Sequence, residues 1–381
     1  MTTRIVSAES FVCRASIAVP VVTAFGAMAE RVAVFVRLTD ADGVSGWGEI
    51  WSNFPTLGAE HRARLFDAFV APRLVGLTVR DPAVFWAEAD RGLHLWGLQA
   101  GEPGAFSAAL AGADIALHDL LARRAGVPLW RWFGGNDGGP VPVYASGLNP
   151  DAQALAQVDE ARSASHHAFK IKIGFGEERD LATLRPVFAD LRAGEQVMVD
   201  INQGWELRTA TRMVRVLGEF PLTWIEEPLA CDRPAWEWGQ VAGASTAPLA
   251  AGENLRGVLE FHQTLAGSHL GFVQPDCCKW GGASATLPVA RAVVATGRAY
   301  CPHFLGGEIG QLTSLHLLAA VRGRGMLEMD ANPNPLRSLL IDPVLRVTDG
   351  MVAVPAAPGL GIEPDVEELG HYVVLKTQRD A

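Results

Sequence analysis

At 381 residues the chain is long enough for one large domain and a smaller one. Hydrophobic residues make up 49% and charged residues 19%, which describes a globular protein with a large core and excludes a disordered chain. The net charge of −10, from 32 basic and 42 acidic side chains, argues against nucleic acid as the main partner, and no apolar run of about eighteen residues marks a membrane span.

The opening MTTRIVSAES lacks the apolar run of a signal peptide. The five cysteines, Cys13, Cys231, Cys277, Cys278 and Cys301, include no C-x-x-C pair and read as reduced, buried residues. Both features point to the cytoplasm. Residues 1–48 read as antiparallel β: 31–39 alternate, 40–43 (DADG) make a turn, and 44–49 return. Residues 19–30 and 51–58 read as loops. They carry Val21, Val22, Phe25, Met28, Trp51 and Phe54, more apolar surface than a solvated loop needs, so they either pack on a neighbour or form a lid. Residues 60–95 have a helical pattern, with Asp81-Pro82 marking a helix start, and 105–125 read as a long buried helix. A Gly-rich break at 133–140 gives the clearest boundary. The expected division is 1–130, 131–341 and 342–381.

Beyond the break the chain becomes rhythmic. Apolar runs at 141–146, 168–173, 197–202, 222–226, 249–253, 271–276, 299–303 and 326–330 alternate with helical stretches. The repeat of roughly 25 to 28 residues is one strand–helix unit, and eight such units predict a (β/α)8 barrel. A doubly wound open sheet is the alternative, but no G-x-G-x-x-G opens a helix after the first strand.

The polar residues fall on these strands in step. In 168–173 (AFKIKI), Phe169, Ile171 and Ile173 share one face and Lys170 and Lys172 the other. A lone K-x-K is ordinarily a solvated edge face. Here Asp200, Glu226 and Glu253 end three successive strands, one repeat apart, at the rim where barrels build chemistry. Three such carboxylates repel one another without a cation, and an all-oxygen set favours Mg2+. Glu226 shares its strand face with Trp224 and is the expected ligand, whereas Glu227 is expected to form a salt bridge outside the metal shell. The next three strands carry Asp276, His303 and Glu328. An Asp beside a His raises imidazole basicity and fixes its tautomer. Lys279 reads either as a pocket residue or as a helix-start charge.

The set FKIKIG, VDINQGW, WIEEP, AGEN, QPDCCKWGG, PHF and LE, with ADIALHDLLARRAGVPLWRWFGG before it, resembles the enolase superfamily and in particular its mandelate racemase subgroup. The resemblance implies Mg2+ on Asp200, Glu226 and Glu253. It implies Lys172 as one acid/base, with Lys170 lowering its pKa and contacting the substrate carboxylate. His303, paired with Asp276, is the acid/base on the opposite face. Glu328 donates to the enediolate in its protonated form. Asn202 and Ser146 line the pocket, with Trp51 and Phe54 on specificity loops. The fold implied is a modified (β/α)8 barrel with an N-terminal α+β cap completed by the C-terminal segment.

The expected reaction is Mg-dependent removal of the proton α to a carboxylate of a small substrate. Dehydration of a hydroxylated sugar acid is the favoured outcome by analogy, and a racemase or epimerase of a 2-hydroxy acid or an amino-acid derivative is the alternative. A non-catalytic ligand-binding barrel is the reading from a different class. The family also implies a homo-oligomer.

Overall fold

The computed structural model describes residues 2–23, 26–55, 57–150, 153–267, 269–338 and 345–381. Strands β1 (Thr3–Thr23) and β2 (Gly26–Asp40) form a long antiparallel hairpin, β3 (Ser45–Ile50) extends it beyond β2, and the short β4 (Thr78–Val79) pairs with the start of β1. The DADG turn forms because Asp40 Oδ1 accepts from the backbone N–H of Asp42 and Val44 (3.0 and 2.9 Å). Of residues 19–30, expected as a loop, the described ones instead continue the hairpin: Val21 lies opposite Met28 and Val22 opposite Ala27, past an irregularity between Ser16 and Val21. Phe25 and the Val22 side chain lie outside the described residues.

The helical pattern at 60–95 is two segments. The first begins at Gly58, and the second is Pro82–Ala100, whose N-cap Asp81 accepts from Ala83 N–H (2.9 Å). Helix Pro103–Arg124 is the one described helix long and apolar enough to cross a membrane, yet it is packed between the cap sheet and the barrel. Gly48 makes that packing possible, because a Cβ there would meet the Ala116 backbone N at 2.9 Å.

The barrel strands are β5 (Val141–Leu148), β6 (Ala168–Lys172), β7 (Gln196–Asp200), β8 (Ile225–Glu226), β9 (Leu249–Ala251), β10 (Leu270–Val273), β11 (Ala299–Tyr300) and β12 (Leu327–Asp330). They pair in parallel in chain order from β5 to β11, with β12 on the other side of β5. Several are shorter than expected, so Glu253, Asp276 and His303 stand on the loops just past their strands. The last barrel strand, β12, is followed first by the short helix Pro335–Ser338. Inside the barrel Tyr144, Met198, Trp224, Cys301, Met326 and Phe272 form an apolar plug. A hairpin of β13 (Val347–Thr348) and β14 (Met351–Val352) pairs with β5, and β15 (Val373–Asp380) returns to pair with β1.

Candidate active site

The barrel register stacks the charged residues above the plug. Lys170 lies opposite Met198, Lys172 opposite Asp200, and Asp200 opposite Glu226. The alternation of β6 sends Phe169, Ile171 and Ile173 into the layer beneath the helices and both lysines into the barrel. Lys170 Nζ lies 2.6 Å from Glu226 Oε1 and 2.7 Å from Glu328 Oε1. Lys172 Nζ lies 2.5 Å from Asp200 Oδ2 and donates to Asn202 Oδ1 (2.8 Å). His303 pairs through Nδ1 with Asp276 Oδ2 (2.9 Å) and through Nε2 with Glu253. Ser146 Oγ donates to Glu328 Oε1 (2.5 Å).

Burial sets the electrostatics. It opposes charge on Lys170, but the facing Glu226 and Glu328 carboxylates hold that ammonium well above its ordinary range. Burial also opposes an imidazolium at His303, and Glu253, Glu328 and Asp276 override it, raising the ring to about 10. The Glu328 carboxyl is buried too, yet Lys170 and His303 bring it down to about 2. With the Lys170 ammonium 2.7 Å away, the contact favours the carboxylate over the protonated form that the resemblance implies. Glu226 is pushed up to about 7, by burial first, with Lys170 opposing and Asp200 and Glu328 adding to the rise.

Glu227 also departs from expectation. Among the described residues it has no ion pair; Asn254 Nδ2 donates to both its oxygens (2.9 and 3.3 Å) and to Glu253 Oε1 (2.8 Å). Burial, then Glu253 and Asp200, hold its carboxyl well above the usual range. Lys279 proves to be a rim residue, with Nζ 3.3 Å from Glu253 Oε1 and 4.4 Å from the Trp51 ring centroid. Trp51 therefore reaches the rim. The Phe54 carbonyl accepts from Arg62 (3.1 Å), whose guanidinium lies over the Trp51 ring, and the Phe54 ring lies beside Gly26. Two residues escaped the sequence reading: Asn254, and Gln274, whose Nε2 donates to Glu226 Oε2 (2.7 Å). Each lies one or two positions from a rim carboxylate, and strand parity at 274 and 276 was the available signal.

No three His, Cys, Asp or Glu side chains converge on one metal position among the described residues. Asp200, Glu226 and Glu253 each take a cation of the chain itself. The donor chemistry nevertheless fits a hard divalent ion. Asp200, Glu226, Glu253, Asp276 and Glu328 outnumber Lys170, Lys172, Lys279 and His303. Buried excess negative charge of this kind calls for a cation.

Residues 7–134 match the mandelate racemase/muconate lactonizing enzyme N-terminal domain, and residues 153–369 match the enolase C-terminal domain-like family. The 3,6-anhydro-alpha-L-galactonate cycloisomerase of Streptomyces coelicolor is 32% identical over 353 residues, covering 92% of this chain and 93% of its own. A mandelate racemase/muconate lactonizing enzyme from Bordetella bronchiseptica superposes with a TM-score of 0.90 at 46% identity, over 97% of this chain and 99% of its own. The L-talarate/galactarate dehydratase of Salmonella typhimurium, liganded with Mg and L-lyxarohydroxamate, superposes with a TM-score of 0.87 at 28% identity, over 100% of this chain and 95% of its own.

Proposed function

The chain belongs to the mandelate racemase/muconate lactonizing enzyme family of the enolase superfamily, and on that premise we propose that it dehydrates a hydroxylated sugar acid. Membership makes it a lyase or isomerase of the Mg-dependent kind seen in its neighbours. The observation that supports the reading is the position of Lys172 and His303 on opposite walls. Lys172 ends β6, and His303 follows β11 on the far side of the ring of carboxylates.

In this reading Asp200, Glu226 and Glu253 hold Mg2+, which when bound stabilises negative charge developing on the substrate carboxylate. Lys170 adds a buried ammonium directed at the same charge. Lys172 takes the α-proton from one face of the carbon. His303, oriented by Asp276 through Nδ1, presents Nε2 to the other face, where it delivers a proton to a departing β-hydroxyl or back to carbon. Ser146 fixes Glu328 beside Lys170, and Asn202 fixes Lys172. The dehydratase and lactone-related names of the relatives support an acid-sugar substrate. The buried apolar side chains of Val21 and Met28 on the hairpin favour a second reading, racemisation or epimerisation of a less hydroxylated acid.

We further propose a barrel of residues 131–341 under a lid of 1–130 and 342–381, the second boundary lying outside the described residues. A cytoplasmic site suits the free cysteines, and a homo-oligomer suits the exposed row Leu95, Trp96 and Leu98. The test is a panel of aldonic, aldaric and 2-hydroxy acids incubated with enzyme and Mg2+ in D2O. Dehydration appears as loss of water with a 2-keto product. Exchange or inversion without water loss would favour the second reading, and no reaction at any α-carbon would refute both.

A further inference from the structure

Five cap residues, 49–53, cross from the end of β3 onto the two loops that carry Asp276 and His303. Glu49 is fully buried, and its carboxylate bridges the first turn of helix Glu308–Val321: Gly307 N–H donates to Oε1 (2.6 Å) and Gly310 N–H to Oε2 (2.9 Å). That helix has Gly307 at its N-cap and no side-chain cap of its own, so a residue from another sheet satisfies its orphan donors. Only glycine permits the approach. A Cβ on Gly306 would stand 2.8 Å from Glu49 Oε1, and one on Gly307 would stand 2.7 Å from the Phe35 ring.

The rest of the segment continues the same job. Asn53 Nδ2 donates to the Leu305 carbonyl, two residues past His303. Trp51 N–H donates to the Cys278 carbonyl (3.2 Å), two residues past Asp276, in the turn that Asp276 Oδ1 itself closes by accepting from Cys278 and Lys279 N–H (2.8 and 3.0 Å). Both loops of the Asp276–His303 pair are thus tied to one stretch of the cap. Among the described residues Lys172 and its partners Asp200 and Asn202 have no hydrogen bond or ion pair to this stretch.

We propose that Glu49 is a positioning residue for His303, and that residues 49–53 set the geometry of the Asp276–His303 pair without acting on Lys172. The seating of the cap then controls one of the two faces of the reaction. This inference rests on the two-face reading above.

The test measures α-deuterium incorporation from D2O at each of the two C2 epimers of the acid that wild type exchanges fastest. Glu49→Ala should slow exchange on the His303 face at least roughly tenfold and leave the Lys172 face within about twofold. Glu49→Gln keeps one acceptor oxygen and should show a smaller loss of the same one-sided kind. Asn53→Ala, which leaves the Glu49 bonds to Gly307 and Gly310 in place, should do likewise and carries the test if Glu49→Ala does not fold. Parallel loss on both faces in folded Glu49→Gln and Asn53→Ala, or no loss on either, would overturn the proposal. His303→Asn is the separate control. If it leaves both faces unchanged, the role given to His303 is what fails; if it abolishes one face while the Glu49 and Asn53 variants behave as wild type, only the positioning role fails.

Discussion

Asp114 offers a direct test of how the cap is seated on the barrel. It is fully buried in helix Pro103–Arg124, and its carboxylate meets the start of helix Gly282–Ala295, accepting from Ser284 N–H (2.9 Å) and Ser284 Oγ–H (2.5 Å). His118 Nε2 lies 2.9 Å from the same Oγ, and Trp132 Nε1–H donates to His118 Nδ1 (2.9 Å). The chain of donors runs Trp132, His118, Ser284, Asp114, and it needs a neutral imidazole. Burial supplies one by lowering His118 to about 3. Burial likewise raises Asp114 from 3.8 to about 7, against the opposing bonds from Ser284. A carboxyl whose folded pKa is raised binds its proton more tightly in the native state. Its contribution is therefore present below pH 3.8 and is lost as pH climbs toward 7. At 1.36 kcal/mol per pKa unit, the loss between pH 5 and pH 8 is about 3 kcal/mol. Asp114→Asn cannot ionise, so its stability relative to wild type should improve by about 3 kcal/mol over that interval. Urea unfolding followed by tryptophan fluorescence at pH 5, 6.5 and 8 measures the gap. A gap that does not change with pH would refute the reasoning.

A Cβ on Gly282, which has φ of 55°, would overlap the Asp114 carboxylate. Gly282→Ala should cost at least about 2 kcal/mol, more than the left-handed strain of about 1 kcal/mol alone, because the added Cβ would also stand 2.6 Å from Asp114 Cβ; a loss of about 1 kcal/mol or less in urea unfolding would contradict this. Asp200→Asn, Glu226→Gln and Glu253→Gln should each weaken Mg2+ binding by at least roughly a hundredfold and abolish turnover. Calorimetric titration checks that claim, and full activity after EDTA treatment would sink it. Trp51→Ala should raise KM roughly tenfold and alter substrate preference, and Phe54→Ala should act in the same direction; steady-state kinetics on the true substrate decides, and wild-type constants in both variants would remove the lid role. Asp276→Asn should lower kcat by roughly ten- to a hundredfold, less than His303→Asn, because the ring remains but loses its partner at Nδ1. Equal losses in the two variants would contradict that order.

The barrel was legible because each strand–helix unit announces itself twice, by an apolar run and by a polar residue at its end. Parity put Lys170 and Lys172 on one strand face and Glu226 on the face of Trp224, whose Nε1–H donates to it (3.0 Å), and the carboxylates one repeat apart turned the lysine face inward. Contacts between distant parts of the chain left no such mark. Nothing near Glu49 or Asn53 in the sequence names Gly307 or Leu305 as a partner. The hairpin tip at 19–30 looked like a loop because Pro20 and Gly26 interrupt a strand pattern that cross-strand pairing restores. Glu227 looked like an ion-pair former because its hydrogen-bond partner, Asn254, comes from the next strand's loop. The charge state of Glu328 could not be read either, since it depends on the 2.7 Å approach of Lys170.

The central claim is that Lys172 and His303 serve opposite faces of one α-carbon. It is tested most directly by following α-deuterium incorporation from D2O into each stereoisomer of the substrate, with Mg2+-loaded wild type, Lys172→Ala and His303→Asn. Lys172→Ala should abolish exchange in one isomer and spare the other, and His303→Asn should do the reverse. Loss of exchange in the same isomer for both variants, with the other untouched, would contradict it.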